Sequence, residues 1–112
     1  MVQMLDVLNN MVENVNKKID TDPKIREIAE AKDRTLLLKF TDDKEYIIEI
    51  KDGRVLNAVE GTMDNATVVV KTDVATFQKM LDRKLNPLMA YAMKKIKVIG
   101  PMDDIMILKD FF

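Results

Sequence analysis

The side chains able to do chemistry in this 112-residue chain are few in kind. Serine, cysteine, histidine and tryptophan are all absent. Their absence removes the usual hydroxyl and thiol nucleophiles, and the one side chain whose unperturbed pKa lies near neutrality. Carboxylates, lysines, arginines, threonines, Tyr46 and Tyr91 remain. An enzyme built on these alone is the least favoured functional reading, and no catalytic residue is assigned. Two charged clusters have suggestive spacing. Lys94, Lys95 and Lys97 could face a CoA phosphate or a lipid headgroup, although a solvated face at a helix end is the simpler account. Asp103 and Asp104, with Asp110 nearby, lack the regular oxygen-ligand spacing of a calcium loop, and charge complementarity at a helix N-terminus explains them. No metal and no cofactor are expected.

The charge balance limits the partners. Eighteen Lys and Arg stand against nineteen Asp and Glu, which gives no net basic field to hold a nucleic-acid backbone or an anionic membrane surface. Nucleic acid is therefore not an expected partner. Apolar residues at 47% and charged residues at 33% are a globular balance, and a chain of this length fits one domain with one core, 1–112. Met1 to Leu8 reaches Asp6 before any apolar run of signal-peptide length, so a cytoplasmic location is expected.

Periodicity supplies the elements that must position any site. Val2, Leu5, Leu8, Met11, Val12, Val15 and Ile19 recur at three and four residues, which predicts a helix with one buried face. Asp22-Pro23 reads as a cap and first position of a second helix through about Ala31, burying Ile25, Ile28 and Ala29. The period then changes. Thr35 to Phe40, Glu45 to Lys51 and Arg54 to Glu60 read as three antiparallel strands, the last two joined at Asp52-Gly53. Leu36, Leu38, Phe40, Tyr46, Ile48 and Ile50 share one apolar face, with Thr35, Lys39, Glu45, Glu49 and Lys51 on the other. A fourth strand spans Ala66 to Lys71, and Thr72-Asp73 caps a helix that presents Val74, Phe77, Met80 and Leu81 on one side. Asn86-Pro87 opens a further helix carrying Leu88, Met89, Ala92 and Met93. Lys95 to Ile99 reads as a last strand, Gly100-Pro101 as a break and Met102 to Phe112 as a terminal helix.

The second half carries a recognisable pattern: Gly61, Ala66 to Val70, Thr72-Asp73, Phe77, Lys84 to Pro87, Ala90-Tyr91, Lys95 to Val98, Gly100 and Met102 to Leu108. It resembles the sterol carrier protein type-two family, also called SCP2-like or non-specific lipid-transfer domains. The resemblance implies an α+β fold in which a five-stranded, mostly antiparallel sheet is covered on one face by about five helices, with an apolar tunnel between sheet and helices. It also implies a non-catalytic domain taking fatty acids, acyl-CoA, sterols or isoprenoids, with the last helix as a movable cover. Carried over by position, the ligand-binding wall comprises Phe77, Met80, Leu81, Leu85, Leu88, Met89, Ala92, Met93, Ile105, Met106 and Leu108. The chain departs from the family's pattern at Arg83 and Lys94, where glycine is usual, at Ala92, often aromatic, and at Pro101, usually polar. It ends in Asp110-Phe111-Phe112 without the Ser-Lys-Leu peroxisomal address of many animal relatives.

Nine methionines, five of them between Met80 and Met106, fit a pliable lipid-binding wall or simply fill irregular core gaps, and the residues alone leave both open. Leu37, Ile47 and Val69 interrupt the polar face of the sheet, a feature compatible with a weak homodimer as well as with a monomer. A rigid empty void of ~400 Å³ would cost roughly 10 kcal/mol, so the interior must hold a guest, its own side chains or water. Two functional readings lead: a carrier of lipid or acyl-CoA with transient membrane contact, and an accessory module with a filled core serving a separate enzyme.

Overall fold

The computed structural model describes residues 3–106 and 109, with helices α1 (Met4–Thr21), α2 (Pro23–Ala31), α3 (Val74–Leu81), α4 (Pro87–Ala92) and α5 (Met102–Met106). Its strands are β1 (Arg34–Phe40), β2 (Glu45–Lys51), β3 (Arg54–Val55), β4 (Val59–Glu60), β5 (Val68–Thr72) and β6 (Lys97–Ile99). They form one sheet in the order β3-β2-β1-β5-β6, with β4 on the same edge of β2 as β3. Every pairing is antiparallel except that of β1 with β5. Val2, Leu108, Phe111 and Phe112, and the side chain of Met106, lie outside the described residues.

Alternation along the strands decides which sheet face is covered. Leu36, Leu38, Phe40, Tyr46, Ile48, Ile50, Val55, Val68 and Val70 are buried in one cluster with Leu8, Met11, Val12, Val15 and Ile19 of α1, Ala29 of α2, and Phe77 and Met80 of α3. Phe40 is the aromatic pivot of this core: its ring meets those of Tyr46 and Phe77 edge-on, at centroid distances of 5.9 and 5.2 Å. The helices thus lie on one face, as the periodicity predicts. Ile28 is an exception to that prediction. It is exposed because α2 is short and turns only Ala29 fully inward.

Two further strand predictions change. The run Arg54 to Glu60 is not one strand but two short pieces, because its register on β2 slips by one residue between them: Ile50 pairs with Val55, but Ile47 pairs with Val59. The Asn16 amide bonds both the carbonyl and the N–H of Val55 at 2.9 Å, and Asn9 Oδ1 accepts from Ala58 N–H at 2.8 Å. Between the pieces, Leu56 N–H still donates to Glu49 O of β2 at 2.8 Å, while Asn9 takes the N–H of Ala58. The last strand is three residues, not five, since Lys95 N–H is spent on closing α4. At the hairpin, Asp52 and Gly53 have φ of 53° and 78°, the two positive values that a tight two-residue turn requires.

On the outer face, Leu37 is 1% exposed although it lies outside the main core cluster. The strand registers place Val59, Ile47, Leu37, Val69 and Ile99 in one row across the sheet. Leu37 sits at its centre, flanked by the half-buried Ile47 and Val69.

Candidate functional site

The segment from α3 to α5 carries the residues expected from the sequence to form the wall, and its local structure follows from caps at helix ends. Asp73 accepts from the N–H of Thr76 at 2.7 Å and from its hydroxyl at 2.9 Å. These two bonds, the backbone one foremost, hold the Asp73 carboxyl below the ordinary carboxylate range. Asn86 Oδ1 accepts from Leu88 N–H at 2.8 Å, with Pro87 at the first helical position, so this Asn-Pro pair is a cap.

The C-terminal ends of α3 and α4 are closed in the same way. Lys84 N–H reaches Lys79 O and Arg83 N–H reaches Met80 O; Lys95 N–H reaches Ala90 O and Lys94 N–H reaches Tyr91 O. Each is the paired closure of a Schellman motif, which needs a left-handed residue just past the helix. Arg83 and Lys94 both have φ of 60°. They are the two positions where the family pattern has glycine, and the backbone keeps the glycine geometry while the side chain adds a cation.

The predicted wall divides by burial. Phe77 and Met80 are buried in the core, and Leu81, Leu85 and Ile105 are partly buried against it. Leu88, Met89 and Met93 are each more than half exposed, and Ala92 is exposed as well. Met80, Leu85 and Leu88 come together with Arg83, Asn86, Pro87 and Lys109 around an open pocket of about 500 Å³ at the α3–α4 corner. Its volume lies in the range of small-molecule sites. Apolar side chains and the two cations Arg83 and Lys109 line it, with no carboxylate among the lining residues, a lining compatible with an amphiphile that has an anionic head. A second groove of about 380 Å³ runs between α1 and the Arg54–Asn57 segment and is lined mainly by polar groups, four of them asparagines.

A feature that sequence reasoning missed sits where α5 begins. Asp104, explained from the sequence by charge complementarity at a helix N-terminus alone, is wholly buried: Arg34 Nε donates to its Oδ1 at 2.7 Å and Lys32 Nζ to its Oδ2 at 2.9 Å. Burial opposes its ionisation, yet the bonds and charges of Arg34 and Lys32 outweigh this and hold its carboxyl below the usual range. The signal was available, because Arg34 shares the inward alternation of Leu36, Leu38 and Phe40 and so needed a buried partner. The first turn of α5 is consequently tied to β1 and to the loop before it.

No described helix is long and apolar enough to cross a membrane. Comparison with curated proteins finds no sequence match. Among solved structures, the chain is similar to sterol carrier protein 2 from Aedes aegypti in complex with palmitate, with 19% identity over 99% of this chain and 96% of that one and a TM-score of 0.67. It is similar also to a UbiJ-SCP2 ubiquinone synthesis protein, with 14% identity over 94% and 89% of the two chains and a TM-score of 0.66. A third similarity is to the inverting sec-alkylsulfatase Pisa1 from Pseudomonas sp., with 24% identity over 78% of this chain and a TM-score of 0.62. This chain spans only 14% of that enzyme's length. At these identities the likeness establishes the fold. The family model for SCP-2 sterol transfer matches residues 8–112, and the chain, with one sheet face under its helices and the α3–α4 corner open, belongs to the SCP-2 sterol transfer family.

Proposed function

We propose that this protein is a non-catalytic cytoplasmic carrier that holds the apolar chain of a fatty acid, acyl-CoA or similar lipid between the sheet and helices α3 to α5. The observation that carries the reading is the open pocket that Met80, Leu85 and Leu88 line together with Arg83 and Lys109. An acyl chain entering there passes toward Phe77 and Leu81, with Met89, Ala92, Met93 and Ile105 closing over it once α4 adjusts. Burial of ten methylenes yields about 8 kcal/mol before the costs of association, enough for micromolar affinity with no specific polar contact. A neighbour of the same fold is described in complex with palmitate, which supports this class of ligand.

The test is a thermal shift with palmitate, palmitoyl-CoA and an isoprenoid alcohol, together with mass spectrometry of lipid extracted from the purified protein. A ligand at a hundredfold its Kd stabilises by about 2.7 kcal/mol. Because Leu88 is exposed, Leu88→Trp should fold normally while blocking the pocket, and its uptake should fall at least tenfold. If no lipid shifts the melting temperature, or if Leu88→Trp takes up palmitate as well as the parent, the pocket is not the site.

A second reading has its own support. The same fold occurs as a small part of Pisa1 and in a ubiquinone synthesis protein, which suits a module that serves a separate enzyme. It is favoured if the purified protein carries no lipid and takes none up.

A further inference from the structure

Helix α4 is apolar on every side, yet it is scarcely buried. Its sequence from Pro87 through the cap Met93 contains no charged or amide side chain, and the Tyr91 hydroxyl is its one polar group. A helix of that composition is ordinarily enclosed in a core. Here only Ala90 is fully buried, while Leu88, Met89, Tyr91 and Met93 are 47–55% exposed. At about 100° per residue, Leu88, Met89, Tyr91, Ala92 and Met93 fall on one outward arc of about 200°, with Ala90 opposite. The helix therefore shows the outside a continuous apolar face.

Charge is arranged around this face. Arg83 and Lys84 precede the helix, Lys94 and Lys95 follow it, and all four are exposed. None of the four is in an ion pair with another described residue. Residues 83–102 hold five cations and no carboxylate, a local charge of +5, whereas the remaining residues have 13 cations against 19 carboxylates, a charge of −6. The near-zero net charge, which by itself argues against an anionic membrane surface, is thus the sum of two opposed regions.

We infer that α4 and its flanking cations form a docking surface for anionic phospholipid bilayers. An exposed apolar arc rimmed by lysine and arginine is the arrangement that inserts shallowly among acyl chains while cations meet lipid phosphates, and Tyr91 is of the residue type favoured at that depth. The face adjoins the α3–α4 pocket through Leu88, Arg83 and Asn86, so docking would present that opening to the bilayer. The inference does not depend on the carrier reading.

The two are tested apart by sedimenting the protein with vesicles of equal parts phosphatidylglycerol and phosphatidylcholine, and with phosphatidylcholine alone, at 0.05 M NaCl. Binding is expected to the anionic vesicles and to weaken at least tenfold at 0.5 M NaCl, where screening is strong. Each surface cation contributes about fivefold to binding, so Lys84→Glu/Lys95→Glu should weaken it at least tenfold. Tyr91→Gln, which leaves the charge unchanged, should weaken it severalfold. Equal binding to neutral vesicles, no binding to either, or undiminished binding by the double variant would overturn the inference. So would a concentration-dependent dimer that Tyr91→Gln abolishes, since the face would then belong to a second copy. Uptake of palmitate from solution without vesicles reports on the carrier reading separately, and the Lys84→Glu/Lys95→Glu variant should retain the parent's value.

Discussion

Replacing Asp104 with asparagine tests how the start of α5 is held. The substitution keeps size and removes charge, leaving Arg34, 8% exposed, with its guanidinium against a neutral amide. Breaking one partner of a buried pair costs about 3–5 kcal/mol, because the other charge stays buried without compensation. Lys32, half exposed, contributes little of this, since an exposed ion pair is worth about 1 kcal/mol or less. At about 2.1 cal/mol/K per residue of unfolding entropy, the loss lowers Tm by roughly 13–21 °C. Differential scanning calorimetry should show that drop for Asp104→Asn, a drop of under about 5 °C for Lys32→Met, and recovery of most stability in Arg34→Met/Asp104→Leu, where both charges are gone. The pH dependence follows from the lowered pKa of Asp104. Its folded value lies below the unfolded one, about 3.9, so its contribution is complete above that pH and is lost as pH falls through the folded value. The parent should therefore lose stability in acid more steeply than Asp104→Asn, with the two curves parallel near neutrality. A loss below about 1 kcal/mol in Asp104→Asn, or an equal loss in Lys32→Met, would show that the Arg34–Asp104 pair does not anchor the helix.

Two more outcomes can be read with simple equipment. Lys94→Gly relieves a left-handed residue that costs roughly 1 kcal/mol with a side chain, so thermal melts should rise by about 4 °C; a fall would mean that the lysine side chain stabilises the helix end by more than the strain. On the outer sheet face, the row from Val59 to Ile99 lies beside a second row running Glu45, Lys39, Lys71, Lys97, acidic at one end and basic at the other. A two-fold axis along the strands through Leu37 would set Glu45 of one copy opposite the lysines of another. Light scattering should then show weak dimers at high micromolar concentration that Ile47→Lys abolishes, and a strict monomer in the parent removes that pairing.

Much of the architecture is legible in the residues because local chemistry and burial agree there. Caps at Asp22, Asp73 and Asn86, the Asp52-Gly53 turn and the apolar alternation of β1 and β2 each act over a few residues, and each is found where the spacing puts it. The misreadings come from partners distant in sequence. The outer edge of the slipped run from Arg54 to Glu60 is held by Asn16 and Asn9 from 39 and 49 residues away, and Asp104 finds Arg34 across 70. Periodicity reports which side of an element is apolar, not what will be packed on it. For that reason Phe77 and Met80 were readable as interior, while Leu88, Met89 and Met93, of equal hydrophobicity, face outward.

The left-handed cations connect stability to the proposed surface. Arg83 and Lys94 stand where glycine would satisfy the same Schellman closures without steric cost, so a chain shaped by stability alone would place glycine at both. Helix-dipole complementarity offsets part of that cost, typically 0.3–1 kcal/mol at an exposed helix end, and so does not clearly exceed the strain. A further benefit from positive charge is the consistent account, and both residues bracket the apolar face of α4. The anchoring of Asp104 points the same way. With the first turn of α5 tied to β1, α4 is the more lightly held neighbour of the pocket: one alanine is buried in the core, and its ends are closed by the Asn86 side chain and by its own backbone. Movement of α4 would widen the pocket that Leu88 shares with Met80, beside the surface proposed to meet the bilayer, so a lipid could pass between membrane and pocket without crossing water.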